Sequence, residues 1–360
     1  MHSRVFRADV ILSLTGLRRH SLLRGFVPRV PFEYIAATAP QMRIISMTMN
    51  VRFLMPLLML RAVFFSTNAC SQLPVPDHVV FVILENHGYA RIAGNPAAPY
   101  LNTLVRDSAT ALFTRSYALT HPSQPNYLML FSGSDQGMTD DDVPGNLPFT
   151  SPNLGAGLLQ AGRTFAGYSE YLPSAGFEGR SSGDYARKHN PWVNWQGSET
   201  NGIPGTLNLP FTSFPDNYDL LPTVSFVIPG QDHDMHNGRD PERISRADAW
   251  LRDHLDGYIQ WAKTHNSLII ITFDEGHATR KSLLDRVFRF FRDGDAGGGN
   301  EGNHIFTVFS GEMVKHGRYD QKIDHYSVLR TVEEMYGLPY AGSSAASPAI
   351  RNVWKGSAGM

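Results

Sequence analysis

The chain has 360 residues, enough to bury one large α/β core or two smaller ones. Its 32 basic and 33 acidic side chains leave a formal net charge of −1, which removes the electrostatic case for a nucleic-acid partner. A single cysteine excludes an internal disulfide, and 32 glycines with 23 prolines fit a loop-rich enzyme better than a helical bundle.

Residues 1–46 precede a more natural start at Met47 or Met49 and read as an over-long start or a disordered leader. Residues 47–72 have a signal-peptide pattern, in which "VRFLMPLLMLRAVFFSTNACSQ" sets a basic residue before an apolar run, then small residues and a cysteine. Pro56 and Arg61 argue against a membrane-spanning helix. Cys70 marks either a lipoprotein processing site or a small residue near an ordinary cleavage site; Thr67 departs from the leucine usual three residues before a lipidated cysteine. The expected location is secreted, periplasmic, or tethered to a membrane through Cys70.

From Pro76 onward strand and helix patterns alternate. "HVVFVILEN" is a continuous apolar run with a polar end, as a buried parallel strand requires. "APYLNTLVRDSA" has helical spacing, and "TRSYALTH" leads into a serine turn and its helix. "NLGAGLLQAG" then "TFAGYSE" reads as helix and strand, and "TVSFVIPG" as another buried strand. "RISRADAWLRDHLDGYIQWAKTH" is a long amphipathic helix, followed by the strands "SLIIITFDEG" and "HIFTVFSG". "DHYSVLRTVEEMYG" closes as a helix with Gly337 after its end. The order predicts one domain over 73–360, a three-layer α/β/α sandwich around a mostly parallel sheet. Two insertions are expected, near 170–221 over one sheet edge and near 278–302. The second alternates basic and aromatic residues in "KSLLDRVFRFFRD" and reads as a solvated surface helix or as a lid over an acidic or lipid substrate.

The octet "THPSQPNY" holds the first chemical signal. Ser123 is expected to cap a helix with Pro125 in its first turn, and a hydroxyl at that place lies beside free N–H groups suited to phosphate. In an open parallel sheet, ligands bind beyond the carboxyl ends of the strands. There the chain places Glu85-Asn86-His87, His121 and Ser123, "QDHDMH" from Gln231 to His236, Asp274-Glu275, and His304 at the start of the last strand. Carboxylates with imidazoles and no thiols suit Zn, Mn, Fe or Mg. Asp232 and His236 are four apart, and Asp234 and His236 two apart, so either pair can meet one ion from a tight loop. HExxH, GxSxG, GxxxxGK[ST] and GxGxxG are absent, which weakens zinc-protease, serine-hydrolase, P-loop and dinucleotide-binding readings.

"ILENHGY", "GNPAAPYLNTL", "THPSQPNYLMLFSG", "YARKHNPW", "DMHNG", "ITFDEG", "NHIFTV" and "DHYSVLRTVEEMYGL" occur in that order. Together, over roughly residues 76–355, they resemble the bacterial phosphoesterase family of acid phosphatases and phosphatidylcholine-type phospholipases C, which is alkaline phosphatase-like in fold. The resemblance implies metal-assisted phosphoryl transfer. It places Ser123 as the nucleophile, with Glu85, Asn86, Asp274 and Glu275 around one divalent ion and Asn126 steadying the phosphoryl oxygens. Asp232, His236 and His304 resemble the ligands of a second ion in two-metal relatives. Such relatives carry Asp-His where this chain has Asp274-Glu275, so one ion or two remain open. With one ion, His121, His233 and His236 would serve as phosphate donors or leaving-group acid. Lys188, His189 and Asp234 would reach the substrate, or the first two would tie down a loop; His325 is expected to cap the closing helix.

The implied function is a secreted or lipid-anchored, monomeric, acid phosphatase-like phosphomonoesterase using a phosphoserine. The short stretch after "GLPYAG" favours the smaller phosphatase-like members. The alternatives are a phospholipase C or other phosphodiesterase and, from another class, a non-catalytic phosphate-binding protein. The expected partner is a phosphate ester, either a small molecule or a lipid headgroup.

Overall fold

The computed structural model describes residues 72–277 and 303–356. The leader, Cys70 and the basic-aromatic insertion at 278–302 lie outside the described residues.

The elements run β1 (His78–Leu84), α1 (Tyr89–Ile92), α2 (Pro99–Leu104), β2 (Thr110–Tyr117), α3 (Ser123–Ser132), α4 (Leu154–Gln160) and β3 (Phe165–Ser169). There follow the short β4 (Ser181–Ser182), β5 (Tyr185–Ala186) and β6 (Asn208–Pro210), then β7 (Val224–Ile228), α5 (Glu242–Ala262) and β8 (Ser267–Phe273). The chain closes with β9 (His304–Gly311), β10 (Gly317–Tyr319), β11 (Ile323–Asp324) and α6 (His325–Met335). The main sheet has the order β10-β2-β9-β8-β1-β7-β3-β6, with β11 also on β2. β1 pairs in parallel with both β7 and β8, so it is buried on both faces and needs the unbroken apolar run of its sequence. β9 runs antiparallel to β2 and β8, the one reversed strand of an otherwise parallel main sheet among the described residues.

Alternate residues of β1 feed two cores. Phe81 and Ile83 join Phe131, Phe165, Trp192, Trp195 and Phe226 on one face. Val80, Val82 and Leu84 pack on the other face with Leu251, Leu255 and Ile259 of α5. The expected insertion at 170–221 is mostly irregular, punctuated by short 3-10 turns, and through β6 it supplies the strand beside β3. α3 ends at Gly133, whose φ of +67° favours glycine, and an added Cβ there would lie 1.9 Å from the Ala341 carbonyl oxygen.

Asp324, not His325, caps α6, accepting from the Ser327 N–H at 2.8 Å in a capping box. His325 is instead buried, and its Nε2 meets the Phe273 carbonyl at 3.0 Å. Further along α6 the buried Glu333 accepts hydrogen bonds from the Ala341 N–H and the Ser344 hydroxyl. Burial nevertheless pushes its carboxyl up to about 7. An acid raised on folding favours the native state least when ionised, so stability is lost as pH climbs from the unfolded value through the folded one. Denaturant melts of Glu333→Gln should therefore lose about 2–3 kcal/mol less than the parent between pH 5 and 7.5. Identical losses in both proteins would show that Glu333 is not protonated in the native state.

Candidate active site

The carboxyl ends of β1, β7 and β8 lie side by side, so the loops that follow them meet. Glu85 follows β1 and donates its N–H to the Asp234 carbonyl at 2.7 Å, tying the loop after β7 to the end of β1. Asp274 follows β8, and its N–H reaches the Leu84 carbonyl at 2.9 Å. Between them Asn86 takes a left-handed φ of +54°, so its N–H donates to Asp274 Oδ1 at 3.0 Å and its side-chain amide to Glu85 Oε2 at 2.8 Å. His189 arrives from the insertion, in the turn Arg187–His189.

Glu85 is the hub of this arrangement and is wholly buried. Its Oε2 accepts from the Ser123 hydroxyl at 3.1 Å, and its Oε1 accepts from Tyr127 at 2.8 Å. His189 Nε2 lies 3.1 Å from Glu85 Oε1, and His189 Nδ1 lies 3.5 Å from Asp234 Oδ2. The Tyr127 ring stacks on the His189 ring with centroids 5.1 Å apart, which fixes the imidazole plane. Ser123 is not the helix cap. Pro122 takes that place, no side chain caps α3, and Ser123 is the first helical residue. Its hydroxyl is therefore released from the backbone and turned to the carboxylate.

Asn126 also differs from expectation. Its Oδ1 accepts from the N–H groups of Leu119 and Thr120, and its Nδ2 donates to the carbonyls of Thr120 and Pro122. Those four bonds exhaust a carboxamide, so Asn126 clamps the serine loop and has nothing left for a phosphoryl oxygen.

The other expected residues separate into near and far. His121 Nδ1 meets Glu275 Oε2 at 2.6 Å, which raises the imidazole above its usual range, while burial raises Glu275. The His236 N–H donates to Asp234 Oδ1 at 2.7 Å, and its ring centroid is 6.2 Å from that of His189. Lys188 Nζ pairs with Asp141 Oδ2 at 2.9 Å. His233 is held by Glu170 at 2.9 Å. Asp232 is half-exposed and 3.8 Å from Arg246. His304 stacks on Tyr89 and Tyr117 and bonds the Thr114 carbonyl at 2.9 Å. Asp232, His236 and His304 therefore do not converge as a second-ion set, because β9 carries His304 into the pairing with β2. Among the described residues, the group that does converge is Glu85, His189 and Asp234, whose ligand atoms all lie within 4.8 Å of one another.

Burial by itself would raise Glu85; the charges of His189, Lys188 and His236 outweigh it and hold this carboxyl below its usual value. Burial also pushes His189 down to about 4, so the imidazole is neutral near pH 7 and Lys188 is the standing positive charge. Burial raises Asp234 and Asp274 well above the ordinary carboxylate range.

The donor set fits a divalent cation. His189 Nε2, Asp234 Oδ2 and Asp274 Oδ2 are among the buried side-chain atoms that make no well-formed hydrogen bond and face one another and Glu85, a costly state that a cation would relieve. A neutral imidazole with carboxylate oxygens and no thiolate suits Zn, Mn, Fe or Mg. Glu85 stands between Ser123 and Asp274 on one side and His189 and Asp234 on the other.

A sequence model of the phosphoesterase family matches residues 95–339. The chain belongs to that family. It is 44% identical over 288 residues, 79% of this chain and 85% of the relative, to a phosphatidylinositol-3-phosphatase of Mycobacterium tuberculosis. An acid phosphatase of Aspergillus fumigatus is 30% identical over 72% of this chain, which spans 55% of that longer relative. In fold the chain is similar to an alkaline phosphatase superfamily protein from Vibrio parahaemolyticus, with a TM-score of 0.50, 13% identity, and coverage of 78% of this chain and 72% of that one. The fold is accordingly the alkaline phosphatase-like α/β sandwich, and the phosphoesterase relatives are hydrolases of phosphate esters.

Sequence assigns His189 to the substrate rather than to Glu85, and neither Tyr127 nor Asp141, inside the run "DDD", carries a sequence signal for the site. The only available signal was that "YARKHNPW" sets a lysine and a histidine amid a loop otherwise rich in Gly, Ser and Asn.

Proposed function

We propose that this phosphoesterase is a metal-dependent phosphomonoesterase that works through a phosphoserine on Ser123. The observation that carries the reading is the buried Ser123 hydroxyl, donating to a carboxylate that also adjoins His189, Asp234 and Asp274. Glu85, His189, Asp234 and Asp274 would hold a divalent ion, whose Lewis acidity would make the serine hydroxyl more acidic and offset charge on the phosphoryl oxygens. Glu85 orients the hydroxyl and takes its proton as Oγ attacks phosphorus and the ester oxygen departs. Tyr127, kept protonated well above the usual phenol range by burial and by the nearby carboxylates, continues to donate to Glu85 throughout. His121, held at Glu275 and 40% exposed, would protonate the departing alkoxide. Water then gives a proton to His121 and attacks phosphorus, and the departing Ser123 Oγ takes back the proton held by Glu85, which restores the enzyme and releases phosphate.

Secretion or anchoring to a membrane belongs to the same reading, because the leader has the pattern of a signal peptide. The likeness to a phosphatidylinositol-3-phosphatase supports a phosphate monoester as the scissile group. The test is hydrolysis of 4-nitrophenyl phosphate and of a choline phosphodiester by the purified protein, with Zn, Mn, Fe and Mg in turn. Monoester turnover that a chelator abolishes and one of these ions restores is expected. Turnover of the diester alone would replace this reading with a phospholipase C, and turnover of neither with a phosphate-binding protein.

A further inference from the structure

A cleft of about 300 Å³ opens at the start of α3, lined by Gln124, Asp141, Arg180, Arg187, Lys188 and Gln231 among others. It lies near the candidate nucleophile, since Lys188 on its wall interacts electrostatically with Glu85 and Asp274. Gln124 is the neighbour of Ser123 in the chain, and Lys188 is the neighbour of His189. Its charged wall holds three cations against one carboxylate.

The cations are not consumed by their partners. Lys188 has three N–H donors and gives one to Asp141 Oδ2 at 2.9 Å; no other side chain among the described residues takes the remaining two. Arg180 gives one nitrogen to Asp142 Oδ1 at 2.7 Å, and its side chain is 68% exposed, so most of the guanidinium fork is open. Arg187 is buried, and its Nε has no partner while its other nitrogens hold Glu178 and Asn194.

The acidic loop that faces them is fixed from behind. Asp141 Oδ1 accepts from the Gln124 N–H at 3.0 Å, and the Gln124 amide donates to the Asp140 and Asp142 carbonyls at 3.1 and 2.7 Å. α3 thus holds Asp141 in place, and Asp141 holds Lys188 at the edge of the cleft. A pocket beside the reacting serine, walled by preset cations with spare donors, recognises negative charge on the part of the substrate that is not being cleaved.

On the phosphomonoesterase reading, we infer that this cleft is a subsite for a second anionic group of the substrate, a phosphate or phosphodiester. Arg180 and Lys188 are its specificity-determining residues. The preferred substrates are then organic phosphates with more than one phosphate, either soluble or the headgroup of a phosphorylated lipid.

The experiment compares kcat/KM for fructose 1,6-bisphosphate and fructose 6-phosphate, a pair differing by the second phosphate. A further pair compares a monophosphorylated inositol phospholipid in phosphatidylcholine vesicles with its soluble deacylated headgroup. A preference for the bisphosphate of roughly tenfold or more is expected, equivalent to about 1.4 kcal/mol. The ratio should fall towards one in Arg180→Gln, drop below one in Arg180→Glu, survive in part in Arg180→Lys, and shrink as salt is raised. Because each ratio is taken within one variant, a general loss of activity does not mimic the effect.

Equal rates on both sugar phosphates, or a preference that Arg180→Gln leaves intact, would overturn the subsite. Vesicle lipid turned over faster than its own headgroup would identify a lipid source, and the reverse order a soluble one; both require the same cations. If no ester is hydrolysed, the phosphomonoesterase reading falls. Calorimetric binding of the same two sugar phosphates then still decides the subsite, the bisphosphate being expected to bind about tenfold tighter.

Discussion

Ser123→Ala is expected to lower kcat on a phosphate monoester by at least roughly 10³-fold, with the fold intact. The size follows from the role. No other hydroxyl among the described residues both starts a helix and donates to Glu85; the other hydroxyl on that carboxylate belongs to Tyr127, a phenol kept protonated. The structural cost should be small, because Glu85 Oε2 keeps the Asn86 amide and only one hydrogen bond is lost, worth about 1 kcal/mol. Steady-state rates beside a thermal melt separate the two effects. A variant that melts like the parent and keeps more than a tenth of its rate would remove Ser123 as nucleophile and leave it as a structural hydroxyl.

The second large effect is expected at Glu85. Glu85→Gln puts a carboxamide where a carboxylate accepts from Ser123, Tyr127 and Asn86 and faces His189. A glutamine turns two donors inward against those donors and provides neither the base for the serine proton nor an anionic ligand. A loss of roughly 10²-fold or more in kcat/KM is expected, the range seen when a general base is removed. A second readout does not depend on turnover. An ion at one hundred times its dissociation constant stabilises the folded parent by about 2.7 kcal/mol, which for a domain of this size is a rise in Tm of roughly 4–6 °C. The variant should show little of that rise. If Glu85→Gln gains as much from the ion as the parent does, the cation is held elsewhere and the buried cluster is only a polar network.

The two expectations depend on different readings of the chain. Ser123 was visible from "THPSQPNY", since proline, asparagine and a following apolar run announce a helix start. Its exact place was not. A cap and a first helical residue are adjacent in sequence, and only the backbone at Pro122 decides which of them has a free hydroxyl. The same local ambiguity gave His325 the cap that Asp324 holds. The family resemblance implies a phosphate-donor role for Asn126, and sequence cannot distinguish an exposed carboxamide from a fully bonded one. Its four backbone bonds depend on how the preceding loop curls.

The sequence by itself determined the architecture and the chemical vocabulary of the site. Unbroken apolar runs such as "VVFVIL" and "LIIITF" can be buried only in a two-sided sheet, and the long amphipathic period of α5 must cover one face of it. Strand ends rich in carboxylate and imidazole then have to gather at one edge, because parallel strands share a direction. Which of those residues meet was decided by tertiary structure alone. His304 and Glu85 both border strands of the same sheet, yet the reversed β9 pairs His304 with Tyr117, while the insertion folds back to bring His189 to Glu85. Strand direction, sheet order and the course of a long loop are set by packing across the whole molecule. Spacing along the chain carries no record of them.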